Sequence, residues 1–347
     1  MSEPKPVRVG VLGLGFMGQT HVRAYAAAHA DGAACPLVAV CDRSADRLAG
    51  RVSSEGNLDS AGDSGERLFD PATLSAYDDL DAFFADESID LVSVCTPTDS
   101  HVALATRAME AGKHVLLEKP VALHSADVDE LRAVQRSSGR LCQPAMCIRF
   151  WPGWDWLHSA VRDGRFGALR ALSIQRLGGA PGWGEGFYAD ESRSGGALFD
   201  LHVHDADFVL WLLGQPNAVR AQGDASHVLT QYVYEQGPTL VQAEGGWLPG
   251  GAFPFRMRYV AAFEHATAEF DSMASDPLTL TREGQHEPVS LEAGTGYDFQ
   301  ARAVVEAVRR NDASGTPKLD DAYNVTRVLE AERESQTRGR TVKVAGD

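Results

Sequence analysis

Three glycines near the start of the chain have the spacing of a loop that binds phosphate groups. Gly13, Gly15 and Gly18 form a G-x-G-x-x-G pattern, and Phe16 and Met17 lie between the second and third glycines. The first glycine of such a pattern permits a tight turn, the second leaves room for a pyrophosphate, and the third lets a helix pack closely on a strand. The N–H groups and positive dipole end of the following helix would face the phosphates. The pattern therefore predicts a dinucleotide site.

An acidic residue lies where this pattern requires one. Asp42 ends the next apolar run, and a carboxylate there can accept hydrogen bonds from the hydroxyls of the adenosine ribose. Its charge would repel a 2′-phosphate, so NAD is favoured over NADP. Arg43 still permits NADP, because a guanidinium can stack on adenine or tolerate the extra phosphate. A glycine-rich turn without a ligand is the weaker alternative, since strand, helix and acidic residue accompany the motif.

A second set of residues has the side chains needed to oxidise an alcohol. Asp200, His204 and Asp207 share one edge of the segment if it forms a helix beginning near Phe199. A histidine titrates near neutrality and can take the hydroxyl proton, while a carboxylate orients it or binds a second hydroxyl. Lys119, in a separate apolar run, could stabilise developing negative charge on the oxygen. With a nicotinamide as the hydride acceptor, this set predicts an alcohol dehydrogenation.

Composition and charge exclude several classes of protein. The chain has 347 residues, 44% hydrophobic and 23% charged, which is typical of a globular protein. Its 32 basic and 48 acidic side chains give a net charge of −16, which disfavours nucleic acid as a partner. The sequence has no run long enough for a membrane span and no apolar secretion signal, so we expect a cytoplasmic protein. Five cysteines without a C-x-x-C pair favour neither disulfides nor a zinc knuckle.

Strand-like and helix-like patterns alternate up to about residue 150. The predicted strands are Val7–Gly15, Pro36–Asp42, Ile89–Pro97, His114–Pro120 and a fifth run at residues 141–150. The predicted helices are residues 16–30, Ala45–Val52, residues 74–86, Asp99–Gly112 and Ser125–Ser138. The polar, Gly/Ser-rich residues 53–66 indicate a surface insertion. This alternation favours a parallel sheet with helices on both faces, as in a Rossmann fold.

A different pattern follows. Longer alternating runs at residues 168–177, 240–248, 256–271 and 276–282 favour a mainly antiparallel sheet covered on one face. The predicted helices are Trp154–Asp163, Ser194–Gly214, Asp298–Arg310 and Asp320–Thr337, and a short strand, RTVKV, ends the pattern. The sequence thus predicts two α/β domains. Residues 1–145 form the nucleotide-binding domain, and residues 146–347 form a domain for substrate binding and oligomerisation.

Three motifs resemble the Gfo/Idh/MocA oxidoreductase family, which includes glucose–fructose oxidoreductase and inositol 2-dehydrogenase. The first joins Thr96-Pro97 and His101 to the signature Glu118-Lys119-Pro120. The second is the segment Gly195–Gly214, with paired glycines, an Asp, a His and a further Asp at family spacing. The third is the closing ESQTRGRTVKV. The resemblance covers essentially the whole chain and implies an N-terminal Rossmann domain followed by an α/β domain with a large open sheet.

The resemblance also implies roles for particular residues. Lys119 would lie near the nicotinamide and the reacting hydroxyl, while Asp200 and His204 would be the substrate-side acid and the general base. Further positions implied at the cofactor are Thr96, Pro97, His101 and Glu118. One residue departs from the family pattern: His202 stands where glycine is common. It adds bulk or a polar group near the expected site.

Other residues could contact a substrate. Trp183 and Tyr188 lie in a glycine-rich loop, and aromatic rings stack on the C–H faces of sugars; their alternative place is the core. Arg149 could reach substrate or cofactor, or form a salt bridge at a domain interface. The pair His202 and His204 could bind a metal in a strand, but on a helix the two rings diverge, so no metal is expected.

The sequence as a whole predicts an NAD(P)-dependent oxidoreductase that moves a hydride between nicotinamide and a hydroxyl or carbonyl of a sugar, sugar acid or cyclitol. Two alternatives stay open: an enzyme that retains NAD and uses it transiently, for instance in sugar elimination, and a non-catalytic regulator that binds NAD and a sugar. A zinc hydrolase is a third, weaker interpretation. The expected assembly is a homodimer or homotetramer.

Overall fold

The chain forms two compact units. The computed structural model describes residues 5–52, 67–182, 186–250 and 253–344. The first unit comprises residues 1–146 and 296–323, and the second comprises residues 147–295 and 324–347. The predicted division at 145/146 therefore lies next to residue 146, where the chain first passes from the first unit to the second. Residues 296–323, however, belong to the first unit again. No helix in the described ranges is long and apolar enough to cross a membrane.

The first unit contains a six-stranded parallel sheet. Its strands are β1 (Val9–Leu12), β2 (Leu37–Cys41), β3 (Ser75–Tyr77), β4 (Leu91–Val94), β5 (His114–Leu117) and β6 (Cys142–Pro144). Their order is β3-β2-β1-β4-β5-β6, and every pairing is parallel. This is the strand order of dinucleotide-binding sheets, and it confirms the Rossmann prediction. Strands β1, β4 and β5 are buried throughout, as expected for mainly apolar strands in a sheet covered on both faces.

Helices flank this sheet. They are α1 (Phe16–Ala28), α2 (Ala45–Leu48), α3 (Leu80–Ala85), α4 (His101–Glu110) and α5 (Ser125–Ser138). The prediction of one helix over residues 74–86 was wrong. Residues 75–77 pair with β2, and the side chain of Asp79 accepts a hydrogen bond from the N–H of Ala82 at 2.8 Å, so the helix begins only after this cap. The predicted insertion at 53–66 lies outside the described residues.

The second unit contains a nine-stranded mixed sheet. Its strands are β7 (Leu169–Gly179), β8 (Ala218–Gly223), β9 (His227–Val233), β10 (Leu240–Leu248), β11 (Arg256–Phe263), β12 (Thr267–Asp271), β13 (Leu278–Arg282), β14 (Gln285–Pro288) and β15 (Val342–Lys343). Their order is β14-β13-β12-β11-β7-β10-β9-β8-β15, with only β7 and β10 parallel. Along β9, exposed and buried residues alternate, so one face of the sheet is covered. The predicted large, mainly antiparallel sheet is thereby confirmed.

The remaining helices are α6 (Trp154–Arg162), α7 (Glu191–Ser194), α8 (Gly196–Asp200), α9 (Val203–Leu213), α10 (Gly296–Arg310) and α11 (Leu319–Arg338). Helix α10 packs on α1 in the first unit, where Val304 and Val305 join the buried core. The single helix predicted over Ser194–Gly214 was wrong. The chain turns at Leu201 and His202, so α8 ends at Asp200 and α9 begins at Val203.

Candidate functional site

The glycine loop follows β1, at the edge where the carboxyl ends of the parallel strands meet. Gly13 has φ +86°, and a Cβ there would lie 2.7 Å from the carbonyl oxygen of Cys95. A Cβ on Gly18 would lie 1.8 Å from the carbonyl oxygen of Gly13, so helix α1 can pack against the turn only with glycine here. At Gly15, by contrast, no described atom outside the adjoining backbone lies within 4 Å of an added Cβ. The open space at the second glycine fits a pyrophosphate.

The N-terminus of α1 is suited to an anion. Gly15 is the N-cap, no side chain of the described residues caps it, and the first turn holds no acidic residue. The backbone therefore presents the positive end of a 13-residue helix with no carboxylate in its own first turn. Phe16 and Met17 begin this helix and are half-buried. These two residues belong to the predicted site through their backbone N–H groups at the start of the helix, not through their side chains.

Asp42 lies directly after β2 and beside the glycine loop. One carboxylate oxygen accepts a hydrogen bond from the N–H of Leu14 at 2.6 Å, and the other accepts one from the N–H of Ser44 at 2.8 Å. Arg47 lies 3.7 Å from the same carboxylate. Each carboxylate oxygen can accept a further hydrogen bond, so the residue fits a ribose diol while it also fixes the loop. Arg43 is exposed.

Two more predicted segments lie at the same edge of the sheet. Thr96 and Pro97 follow β4, and Glu118 and Lys119 follow β5. Because β1, β4 and β5 are adjacent and parallel, their carboxyl ends converge at the point where the strand order reverses. Lys119 is half-buried, and its peptide bond to Pro120 is cis. The structure thus brings the predicted cofactor residues of this unit together.

His101 has a different place from the other predicted cofactor residues. Its ring is 1% exposed, with Nδ1 2.8 Å from the carbonyl oxygen of Pro120 and Nε2 2.8 Å from that of Thr96. Burial lowers the pKa of this imidazole. The side chain therefore connects the two chain segments that follow β4 and β5. It holds the backbone of the site in place from a buried position.

A buried polar chain, not predicted from the sequence, supports the Glu118-Lys119 segment. His21, on α1, places Nδ1 2.6 Å from the hydroxyl of Ser93 and Nε2 2.9 Å from the Glu118 carboxylate. The N–H of Lys119 donates to the other carboxylate oxygen at 3.1 Å. Burial lowers the pKa of His21, but Cys95 and Glu118 outweigh it and raise this pKa to about 10. In the sequence, the sign of this network is His21 itself, a histidine in a mostly apolar helix.

In the second unit, Asp200 and His204 flank the turn between α8 and α9. Asp200 is half-buried at the end of α8, while His204 is 8% exposed in the first turn of α9. They remain close in sequence, but they do not share one helix face as predicted. The intervening His202 is fully buried. Its contacts cross to other elements of the same unit.

Arg149 forms a salt bridge with Asp207. Nε lies 2.9 Å from one carboxylate oxygen and Nη2 lies 2.6 Å from the other, a bidentate arrangement in which both side chains are buried. The guanidinium also lies 5.7 Å from the ring centroid of Trp211. This pair fastens α9 to the 3-10 helix Cys147–Phe150. The bridge joins two elements of one unit.

The aromatic residues expected at a sugar are only partly described. Tyr188 is half-buried and meets Trp247 edge-on, with ring centroids 5.9 Å apart. Trp183 lies outside the described residues. Within the described ranges, no group of three or more His, Cys, Asp or Glu side chains could hold a metal ion.

Comparison with known proteins identifies the class. The family profile described as "Oxidoreductase family, NAD-binding Rossmann fold" matches residues 7–146, and the "GFO/IDH/MocA C-terminal domain" profile matches residues 154–248. The chain is therefore an oxidoreductase with an NAD-binding Rossmann domain. It belongs to the Gfo/Idh/MocA family.

Individual relatives agree with this assignment. Inositol 2-dehydrogenase 1 of Saccharopolyspora erythraea is 31% identical over 97% of this chain and 96% of its own length. UDP-N-acetylglucosamine 3-dehydrogenase of Acidithiobacillus ferrooxidans is 32% identical over 63% of this chain, an alignment that spans 59% of that protein. A structure of levoglucosan dehydrogenase in complex with NADH and levoglucosan has a TM-score of 0.81 at 19% identity, covering 99% of this chain and 100% of that one. This structural likeness shows the shared fold.

Proposed function

We propose that the protein is an NAD-dependent dehydrogenase that oxidises a secondary hydroxyl of a sugar, sugar acid or cyclitol. The observation that carries the proposal is the open space at Gly15, with Asp42 and the Glu118-Lys119 segment at the same edge of the sheet. Relatives named for inositol and for UDP-N-acetylglucosamine support a polyhydroxylated substrate. Such substrates share a carbon that bears both a hydrogen and a hydroxyl group.

The proposed chemistry separates a hydride from a proton. Bound NAD supplies the hydride acceptor at its nicotinamide ring. His204 accepts the hydroxyl proton, a role that suits a neutral imidazole. The ammonium of Lys119 stabilises negative charge on the same oxygen as the C–H bond breaks. Asp200 orients the substrate through a second hydroxyl, and Tyr188 and Trp183 stack on the sugar ring. Arg149, held by Asp207, supports this segment.

The direct test is NADH formation with purified protein. The panel contains myo-inositol, D-glucose, D-gluconate, levoglucosan and UDP-N-acetylglucosamine, each with NAD and with NADP. We expect absorbance of the reduced cofactor to appear with at least one member and to be stronger with NAD. Binding of NAD without turnover on the panel would favour the regulator, and tightly retained NAD recovered with an altered sugar would favour transient use. Either result would contradict the proposed dehydrogenase.

Two variants test the assigned residues. His204→Ala should lower kcat by about 10²–10⁴-fold, because a positioned acid–base group contributes that much. Lys119→Ala should lower kcat by about 10²–10³-fold through lost charge stabilisation. His227→Ala, on the sheet of the second unit, and Lys318→Ala, an exposed lysine of the first, are matched controls. Nearly wild-type turnover of folded His204→Ala protein would remove the proposed base.

We further propose that the protein works in the cytoplasm. No disulfide joins the five cysteines, all of which lie among the described residues, and Cys95 is partly exposed. A reducing compartment keeps such thiols unpaired. Cell fractionation followed by immunodetection would test the location.

A further inference from the structure

Five polar side chains form a cluster inside the second unit. They are Arg176 on β7, His202 and Asp205 at the start of α9, Tyr232 on β9 and Glu332 on α11, and none is more than 3% exposed. We call them the His202 cluster. Such groups are costly to bury unless they are paired with one another.

His202 contacts two members of the cluster directly. Its Nε2 lies 3.2 Å from the Glu332 carboxylate and 3.1 Å from the Tyr232 hydroxyl. Asp205 accepts two hydrogen bonds from Arg176, at 3.0 and 2.8 Å. With His202 protonated, two cations face two anions and the cluster is neutral. With His202 neutral, one buried carboxylate would lack a counter-charge.

The groups around His202 favour its charged form. Burial lowers its pKa, but the nearby carboxylates of Glu332 and Asp205 outweigh both burial and the repulsion from Arg176, and the pKa is raised. Tyr232 is the other titratable group in contact, and burial first, then Glu332, raises its pKa well above the usual value, so it remains a neutral phenol. The contact between His202 and Glu332 therefore favours a charged imidazole at a fully buried site.

His202 is held at the turn by backbone hydrogen bonds and by packing against the sheet. Its N–H donates to the carbonyl oxygen of Ala197 in α8 at 2.8 Å, and its own carbonyl accepts from Asp205 in α9 at 3.0 Å. Its Cβ would lie 2.9 Å from a Cβ placed on Gly245 of β10, so the ring is wedged against the sheet where a glycine makes room. A shift of this ring would move the turn that separates Asp200 from His204.

We propose that His202, through Glu332 and Tyr232, is a positioning residue that fixes the α8–α9 turn and thereby sets the geometry of Asp200 and His204. The inference rests on the proposed function of those two residues. Glu332 lies on the C-terminal helix, far along the chain from the turn. Its carboxylate holds the turn from outside the segment that performs the chemistry.

The test compares His202→Gln, Glu332→Gln and the double variant, using the panel compound that the wild-type enzyme oxidises fastest. Each single variant should lower kcat by about 10–100-fold, since small misplacement of catalytic groups has effects of this size. The affinity for NADH, measured by calorimetry, should stay unchanged. With His204 as the proton acceptor, kcat should rise with pH as this histidine loses its proton, and the single variants should move this rise to a different pH. The double variant, whose two amides can bond to each other without a buried charge, should recover both melting temperature and kcat.

Controls separate positioning from loss of stability. Leu278→Ala opens a cavity in β13, where the side chain is fully buried, and should lower the melting temperature without moving the pH profile. Tyr232→Phe removes only one hydroxyl and carries the test if His202→Gln does not fold; it should lower kcat in the same direction. Single variants that lose stability but keep the wild-type kcat and pH profile would overturn the positioning role. If wild type and His204→Ala are equally inactive on the panel, the proposed function fails instead.

Discussion

At the scale of single residues, the three glycines of the loop have separable roles. An added side chain at Gly15 meets open space, whereas one at Gly18 meets a backbone oxygen at 1.8 Å. We therefore expect Gly15→Val protein to fold with a melting temperature near that of the wild type but to lose NADH binding. Gly18→Val should lose stability as well as binding. Circular dichroism melts and calorimetric titration check both expectations.

The two glycine variants form a matched pair, because they place the same side chain in one loop. If folded Gly15→Val protein binds NADH with wild-type affinity, the open space at this glycine is not the pyrophosphate site. Equal loss of stability in both variants would show that Gly15 is needed for folding and would leave the nucleotide assignment without its main structural support.

Asp42 combines two tasks, which shapes the expected effect of replacing it. Its carboxylate holds the loop through Leu14 and Ser44, and it offers acceptors to a ribose diol. Asp42→Ser should weaken NADH binding by about tenfold or more, because hydrogen bonds to charged groups are lost. NADPH binding should improve relative to NADH, since the repelling charge is gone while Arg43 remains. Asp46→Ser, an exposed aspartate in the same region, is the control.

The ratio of the two dissociation constants is the quantity to measure, by fluorescence titration of both reduced cofactors. Tight binding of NADPH and weak binding of NADH by the wild-type protein would contradict the assignment of Asp42. An unchanged ratio in Asp42→Ser would do so too.

At the scale of elements, the sequence predicted those segments whose pattern is local. Strand β1 and helix α5 were placed closely because apolar runs and end signals lie within the segments themselves. The division between α8 and α9 was missed because side-chain contacts at this turn involve residues distant in sequence. The side chain of His202 bonds to Glu332, a partner that no window around Gly195–Gly214 contains. For the same reason, the sequence predicted a role for Glu118 but not for its distant partners His21 and Ser93.

The ion pair between His21 and Glu118 links α1 to the end of β5, and its contribution to stability should depend on pH. The pKa of His21 rises from 6.5 to about 10 on folding, so its contribution is complete below pH 6.5 and is lost as pH rises through about 10. The pKa of Glu118 falls below 4.5, so its contribution is complete above that pH and is lost under more acidic conditions. The pair therefore contributes most to stability between about pH 4.5 and pH 6.5, where both contributions are complete.

Urea unfolding of wild type and His21→Gln at a series of pH values measures this dependence. We expect the difference in the free energy of unfolding to be largest near pH 6 and to shrink steadily toward pH 10. Glu118→Gln in the wild-type background should reduce the same trend, because only Cys95 then raises the pKa of His21. A difference that stays constant from pH 6 to pH 10 would show that His21 is neutral in the folded protein.

At the scale of the whole molecule, composition and pattern predicted two α/β domains but not how the chain returns. The stretch 296–323 follows the large sheet in sequence yet packs with the first unit, where α10 covers α1. Its amphipathic pattern predicts a helix with one apolar face but carries no information on which surface that face covers. Assignment to a domain requires the tertiary contacts themselves.

Assembly is the remaining prediction at this scale, and we propose a homodimer or homotetramer. One face of the nine-stranded sheet exposes aliphatic side chains on β9, β10 and β11: Leu229, Val233, Leu240 and Val260 are 38–43% exposed. The register sets them on the same side, because Leu229 lies opposite Glu244 on β10 and Val260 opposite Ser173 on β7. Polar residues such as Glu244 and Ser173 lie on this face as well, and a mixture of aliphatic and polar side chains is the usual composition of a subunit interface.

Light scattering coupled to size exclusion should therefore give a mass of two or four chains for the wild type. Leu229→Glu combined with Val260→Glu should shift it toward one chain, because two buried carboxylates would face their symmetry mates. Met273→Glu, at the exposed turn after β12, is the control and should leave the mass unchanged. A monomeric wild-type protein at micromolar concentration would contradict the prediction. A double variant that keeps the mass of two or four chains would show that the interface lies on another surface.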